Sequence, residues 1–132
     1  METRLRALIV DDSDMSRRIA GRVVGKVFSY DEAENGSVAV RKYIEAIDSG
    51  TPYDIVFMDI IMPEMDGKEA VLRIREHEKS LEREKTPIIM ISASETLEGI
   101  DGLVTGLLRK AISKPALDEI LRKLFPANLL DV

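Results

Sequence analysis

Cysteine is absent from this chain, which excludes a disulfide framework, a thiolate metal site and a cysteine nucleophile. Histidine occurs once, at His77, so any metal ligands must be mostly hard oxygens. No apolar run approaches the roughly 20 residues that a membrane span requires, and no signal peptide opens the chain. Repeats, low-complexity tracts and internal linkers are missing too. A basic excess is also lacking: 19 Lys and Arg stand against 24 Asp and Glu, for a net charge of −5. That balance argues against a nucleic-acid surface, because phosphate binding wants clustered cations. What is left is 132 residues of ordinary globular composition, enough for one domain with a single core. A reducing cytoplasm is the compartment that fits.

Short apolar runs alternate with helical patterns along the chain. "LRALIV" (5–10), "IVFM" (55–58) and "IIMI" (88–91) are near-continuous hydrophobic runs, as expected of strands buried on both faces. "SYDEAE" (29–34) and "KAIS" (110–113) read as strands nearer a sheet edge. Between them Met15, Ile19 and Val23 recur at fours, and Val40, Tyr43, Ile44 and Ile47 follow helical spacing. Val71 with Ile74 marks a third helix. The stretch "SETLEGIDGLVTGLL" is expected to form a fourth. Leu117, Ile120, Leu121 and Leu124 mark the last, with Pro115 near its start, where proline is tolerated. The order is β-α repeated five times, which predicts an α/β fold with a parallel sheet and helices on both faces.

The polar residues fall at one edge of that frame. Asp11 and Asp12 follow the first strand, Asp59 the third, Ser92 the fourth and Lys114 the fifth. Each sits at a carboxyl end, the edge where open α/β sheets bind ligands. Taken alone, Asp11–Asp12 fits a turn or cap, Ser92 a strand-end hydroxyl and Lys114 a solvated lysine. Their convergence from four strands is the stronger observation. Three crowded carboxylates repel unless a cation sits among them. Oxygen ligands suit Mg²⁺ or Mn²⁺, which keeps waters and leaves room for phosphate oxygens. A metal, Lys114 and the Ser92 hydroxyl would neutralise a phosphoryl group, and Asp59 is a plausible nucleophile for one.

"LIVDDSDMSRR", "IVFMDIIMPEMDG", "IIMISASE" and "ISKP" together resemble the receiver domain of two-component response regulators, over residues 4 to 125. The resemblance implies a flavodoxin-like (βα)5 three-layer sandwich with strand order 2-1-3-4-5, a receiver over 1–125 and a tail over 126–132. It implies that Asp59 accepts a phosphoryl group from a phosphohistidine. Asp12 would bind Mg²⁺ directly, Asp11 through water, and the Ile61 backbone carbonyl would be a third protein ligand. Lys114, Ser92 and the Ala93 backbone would bind the phosphoryl group, with Lys114–Pro115 as the family's cis peptide. The implied partners are a histidine kinase or histidine phosphotransfer protein and a downstream protein. Neither nucleic acid nor membrane is implied, and the chain would be a monomer or weak phosphorylation-dependent dimer. The implied setting is bacterial and cytoplasmic. The switching face would be the fourth helix, last strand and last helix, with no activity beyond self-phosphorylation and self-dephosphorylation.

The chain departs from the family pattern in places. The family usually carries Tyr or Phe three residues before its active-site lysine, and Ala111 stands there relative to Lys114. Gly99, Gly102 and Gly106 weaken the expected fourth helix, which predicts a short or soft one. Ile61, with Ser94 two residues after Ser92, offers no group to orient a hydrolytic water, which predicts slow dephosphorylation. The charged run "RIREHEKSLEREK" (73–85), with His77 in it, reads as a solvated helix face and loop. Two other functions compete with the switch. One is an interaction module without phosphorylation, which the full set of acids opposes. The other is a haloacid-dehalogenase-like hydrolase, which would want a second Asp where Ile61 stands. The "MDGKEAVLRIREHE" segment also resembles receivers attached to hybrid histidine kinases.

Overall fold

The computed structural model describes residues 5–60, 62, 65–93, 100 and 102–125. Five strands and four helices are formed among them: β1 (Arg6–Val10), α1 (Asp14–Val24), β2 (Ser29–Ala33), α2 (Gly36–Asp48), β3 (Ile55–Asp59), α3 (Gly67–Ser80), β4 (Ile88–Ser92), β5 (Gly106–Arg109) and α4 (Lys114–Leu124). The strands are all parallel and run in the order β2-β1-β3-β4-β5. The flavodoxin-like order implied by the resemblance is therefore the observed one.

Strand periodicity divides the core in two. Leu8, Val10, Val56, Met58, Ile88 and Met90 point to the face covered by α2 and α3, where Tyr43, Val71 and Ile74 pack. Ala7, Ile9, Ile55, Phe57, Ile89 and Ile91 point to the opposite face, where Val24, Leu117 and Leu121 close the layer. β3 and β4 are buried along their whole length, which is why their sequences lack polar alternation. β2 is an edge strand with four exposed residues out of five. Each helix begins on a side-chain cap: Ser13, Asn35, Asp66 and Ser113 accept from the backbone N–H three residues on, satisfying a donor with no intrahelical partner.

Two expectations are corrected here. The last strand is not "KAIS" but Gly106–Arg109, so residues 106–108 of the supposed fourth helix are strand. Its glycine serves packing: a Cβ on Gly106 would come within 2.6 Å of Ile120 Cδ1 on α4. Gly99 lies outside the described residues, and Gly102 sits in a turn before β5. The charged run 73–85 is not uniformly solvated either. Arg75 and Glu78 are buried and ion-paired at 2.8 Å. Glu78 also accepts from Tyr43 Oη at 2.5 Å and from the Thr86 N–H at 2.9 Å, while Arg75 Nε donates to the Leu103 carbonyl at 2.9 Å. Each charge is thus compensated, as burial requires.

Candidate functional site

Register brings the acids together. Val10, the last residue of β1, pairs between Ala33 and Met58, so Asp11 leaves the sheet beside the end of β3, where Asp59 stands. Asp59 pairs with Ile91 and Ser92 with Arg109, and the Lys110 N–H donates to the Ser92 carbonyl at 3.0 Å. One oxygen from each of Asp11, Asp12 and Asp59 lies within 4.8 Å of the others. Asp11 and Asp59 are 3% and 4% exposed, whereas Asp12 faces solvent. Gly67 packs directly against the end of β3. A side chain at Gly67 would collide with the Asp59 carbonyl, and the Gly67 N–H donates to the Ile60 carbonyl at 2.8 Å. Asp66–Gly67 is accordingly a helix start, with Asp66 as the cap.

The lysine at this centre is Lys110, not Lys114. Lys110 Nζ lies 3.1 Å from Asp11 Oδ2 and 3.2 Å from Asp59 Oδ2. Lys114 is the first residue of α4 and pairs with Asp118 at 2.6 Å, one helical turn on. The reason is strand length: β5 ends at Arg109, so the first side chain past its carboxyl end belongs to position 110. Ala111 therefore follows the lysine instead of preceding it by three, and the residue three before Lys110 is the half-buried Leu107. The cis peptide is Lys110–Ala111 and not Lys114–Pro115. Burial by itself lowers the Lys110 pKa, but hydrogen bonds to Asp11 and Asp59 and their charges outweigh it, leaving it above the ordinary lysine value. Sequence reading missed Lys110 because "KP" drew attention to Lys114. The usable signal was the Leu107–Leu108 pair directly ahead of "RK".

Ser92 is buried at the end of β4, and Ala93 is an exposed bend after it. Ile61 and Ser94 lie outside the described residues, and with them the expectation about dephosphorylation. Three carboxylates and one ammonium carry a formal charge of −3 + 1 = −2, which one divalent cation balances. The donors are all hard oxygens, so the set fits Mg²⁺. Beside it lies a cavity of about 90 Å³, walled by Ile9, Ile19, Ile91 and Ile112 together with Asp11 and Lys110. On α1 the apolar residues Met15 and Ile19 are 60% and 38% exposed, so this part of the helix presents a partly open apolar face.

Comparison with known proteins agrees with this fold. A family model for the response regulator receiver domain matches residues 7–125. The two-component response regulator ORR41 of Oryza sativa subsp. japonica is 37% identical over 126 residues, covering 90% of this chain and 93% of that protein. Histidine kinase CKI1 of Arabidopsis thaliana is 35% identical over 126 residues, which span 84% of this chain but 11% of the kinase. The solved receiver domain of that kinase, complexed with Mg²⁺ and BeF₃⁻, matches with a TM-score of 0.78 at 31% identity, covering 91% of this chain and 89% of that one. Both organisms are plants, so the expectation of a bacterial source finds no support in them.

Proposed function

Because this chain belongs to the response regulator receiver domain family, we propose that Asp59 is its phosphoacceptor and that Lys110 takes the phosphoryl-binding role first expected of Lys114. The observation that carries this reading is the Lys110 ammonium bridging Asp11 and Asp59 inside a three-carboxylate centre. An Asp59 carboxylate oxygen attacks the phosphorus of a phosphohistidine. The P–N bond breaks with its electron pair going to the imidazole nitrogen, and the ring, protonated at its other nitrogen, leaves as neutral imidazole. Asp11, Asp12, Asp59 and the Ile61 carbonyl would hold Mg²⁺ (or Mn²⁺), which when bound neutralises charge on the phosphoryl oxygens. Lys110 supplies a fixed positive charge on the same group, its raised pKa keeping it protonated at neutral pH. Ser92 and the Ala93 N–H offer hydrogen bonds to the product. Ile61 and Ser94 would slow its hydrolysis by offering no group to orient water.

The domain is then a switch, with self-phosphorylation and self-dephosphorylation as its only chemistry. Its readout face is β5, α4 and the segment before β5. With Leu107 in the family's aromatic position, switching proceeds without a moving ring. The donor is a histidine kinase or histidine phosphotransfer protein, the switched face engages a downstream protein, and the setting is cytoplasmic. The test is beryllofluoride or acetyl phosphate with Mg²⁺, comparing the wild type with Asp59→Asn by intact mass and amide spectra. Uptake of one phosphoryl group by the wild type alone is the expected result. No uptake and no Mg²⁺-dependent change would leave an interaction module.

A further inference from the structure

Arg17 stands one turn into α1, with its side chain 12% exposed. Each of its three guanidinium nitrogens makes a contact. Nη1 donates to the backbone carbonyl of Asp11 at 2.7 Å, Nε to Glu32 Oε1 at 2.9 Å, and Nη2 to Asp14 Oδ1. The Asp11 carbonyl belongs to the peptide plane that joins Asp11 to Asp12. The other side of Asp11 is fixed as well, its N–H donating to the Ala33 carbonyl at 3.1 Å. Its carboxylate accepts from the Ser13 N–H at 3.0 Å. The only long cationic side chain among these contacts to the Asp11 backbone is Arg17, and Glu32 and Asp14 hold that side chain in turn.

We infer that Arg17 is a positioning residue for the cation site: by fixing the Asp11–Asp12 peptide plane it aims both carboxylates at the place they share with Asp59. This rests on the phosphoacceptor reading above. Arg17 touches neither the cation nor the phosphoryl group. It acts through the peptide, as groups that orient metal ligands do.

The sign of the effect separates this role from simple electrostatics. Removing a positive charge beside three carboxylates would, through the field alone, make a divalent cation bind more tightly. Loss of positioning makes it bind more weakly. In Arg17→Met, Mg²⁺ titration by calorimetry and amide shifts is expected to show about ten- to hundred-fold weaker binding, with the Asp12 amide shifted before Mg²⁺ is added. Arg17→Lys keeps one donor for the carbonyl and should lose less than Arg17→Met. Glu32→Gln, whose charge is 44% exposed and screened, should stay within about two-fold. Acetyl-phosphate uptake should recover at saturating Mg²⁺, so the loss falls on metal affinity and not on the maximal rate. Unchanged or tighter Mg²⁺ binding in Arg17→Met would overturn the inference. If that variant does not fold, Arg17→Lys decides: binding weakened no more than in Glu32→Gln overturns it equally. Failure of the wild type itself to bind Mg²⁺ would overturn the phosphoacceptor reading, and this inference with it.

Discussion

Four positions separate Lys110 from Lys114, and that interval decides which ammonium enters the acidic centre. Lys110 leaves the end of β5 directly between Asp11 and Asp59, while Lys114 already belongs to α4 and answers Asp118. Lys110→Ala is therefore expected to slow acetyl-phosphate uptake at saturating Mg²⁺ by about a hundred-fold, the usual cost of removing a preorganised charge from a reacting group. Lys114→Ala removes only a partly exposed pair within a helix, worth a few tenths of a kcal/mol, and should leave uptake within about two-fold. Intact mass followed over time would distinguish the two. Equal rates for both variants would return Lys110 to an ordinary ion pair.

α3 shows how an element can hide its chemistry. Its sequence reads as charged surface, and the exposed Arg73, Glu76 and Lys79 agree. Yet Arg75 and Glu78 turn inward to Tyr43, Thr86 and the Leu103 carbonyl, tying α3 to α2 and to the turn before β5. Burial pushes the Tyr43 phenol well above its ordinary pKa, and its hydrogen bond to Glu78 adds to the shift. In the unfolded chain that phenol ionises near pH 10, whereas the folded protein keeps the proton. The contribution is thus fully present below about pH 10 and is lost as pH rises further. Tyr43→Phe is expected to cost about 1 kcal/mol at neutral pH and to flatten the loss of stability between about pH 10 and 11. Urea unfolding at a series of pH values measures both. Tyr53 and Lys110 are shifted in the same direction, so the slope should shrink without vanishing.

On the scale of the molecule, the centre lies where the carboxyl ends of β1, β3 and β4 meet the residue after β5, with the open apolar face of α1 beside it. If a protein donor docks over that face, it gains apolar burial there that acetyl phosphate does not need. Met15→Gln should lower the rate of transfer from a phosphohistidine protein about ten-fold, from lost apolar burial, while leaving acetyl-phosphate uptake unchanged. Equal slowing of both donors would place Met15 in the chemistry instead of the docking. The chain by itself determined that the sheet is parallel, that β1, β3 and β4 are its buried strands, and that Asp11, Asp12 and Asp59 stand at its edge. Doubly buried strands must be continuous apolar runs, and a residue following such a run has nowhere to stand but the sheet's edge. Tertiary structure alone decided that Lys110 completes the centre, that Gly106 is a strand residue making room for Ile120, and that Arg75 and Glu78 are interior. Those outcomes depend on where β5 ends and what packs over it, distances set by neighbours far away in sequence.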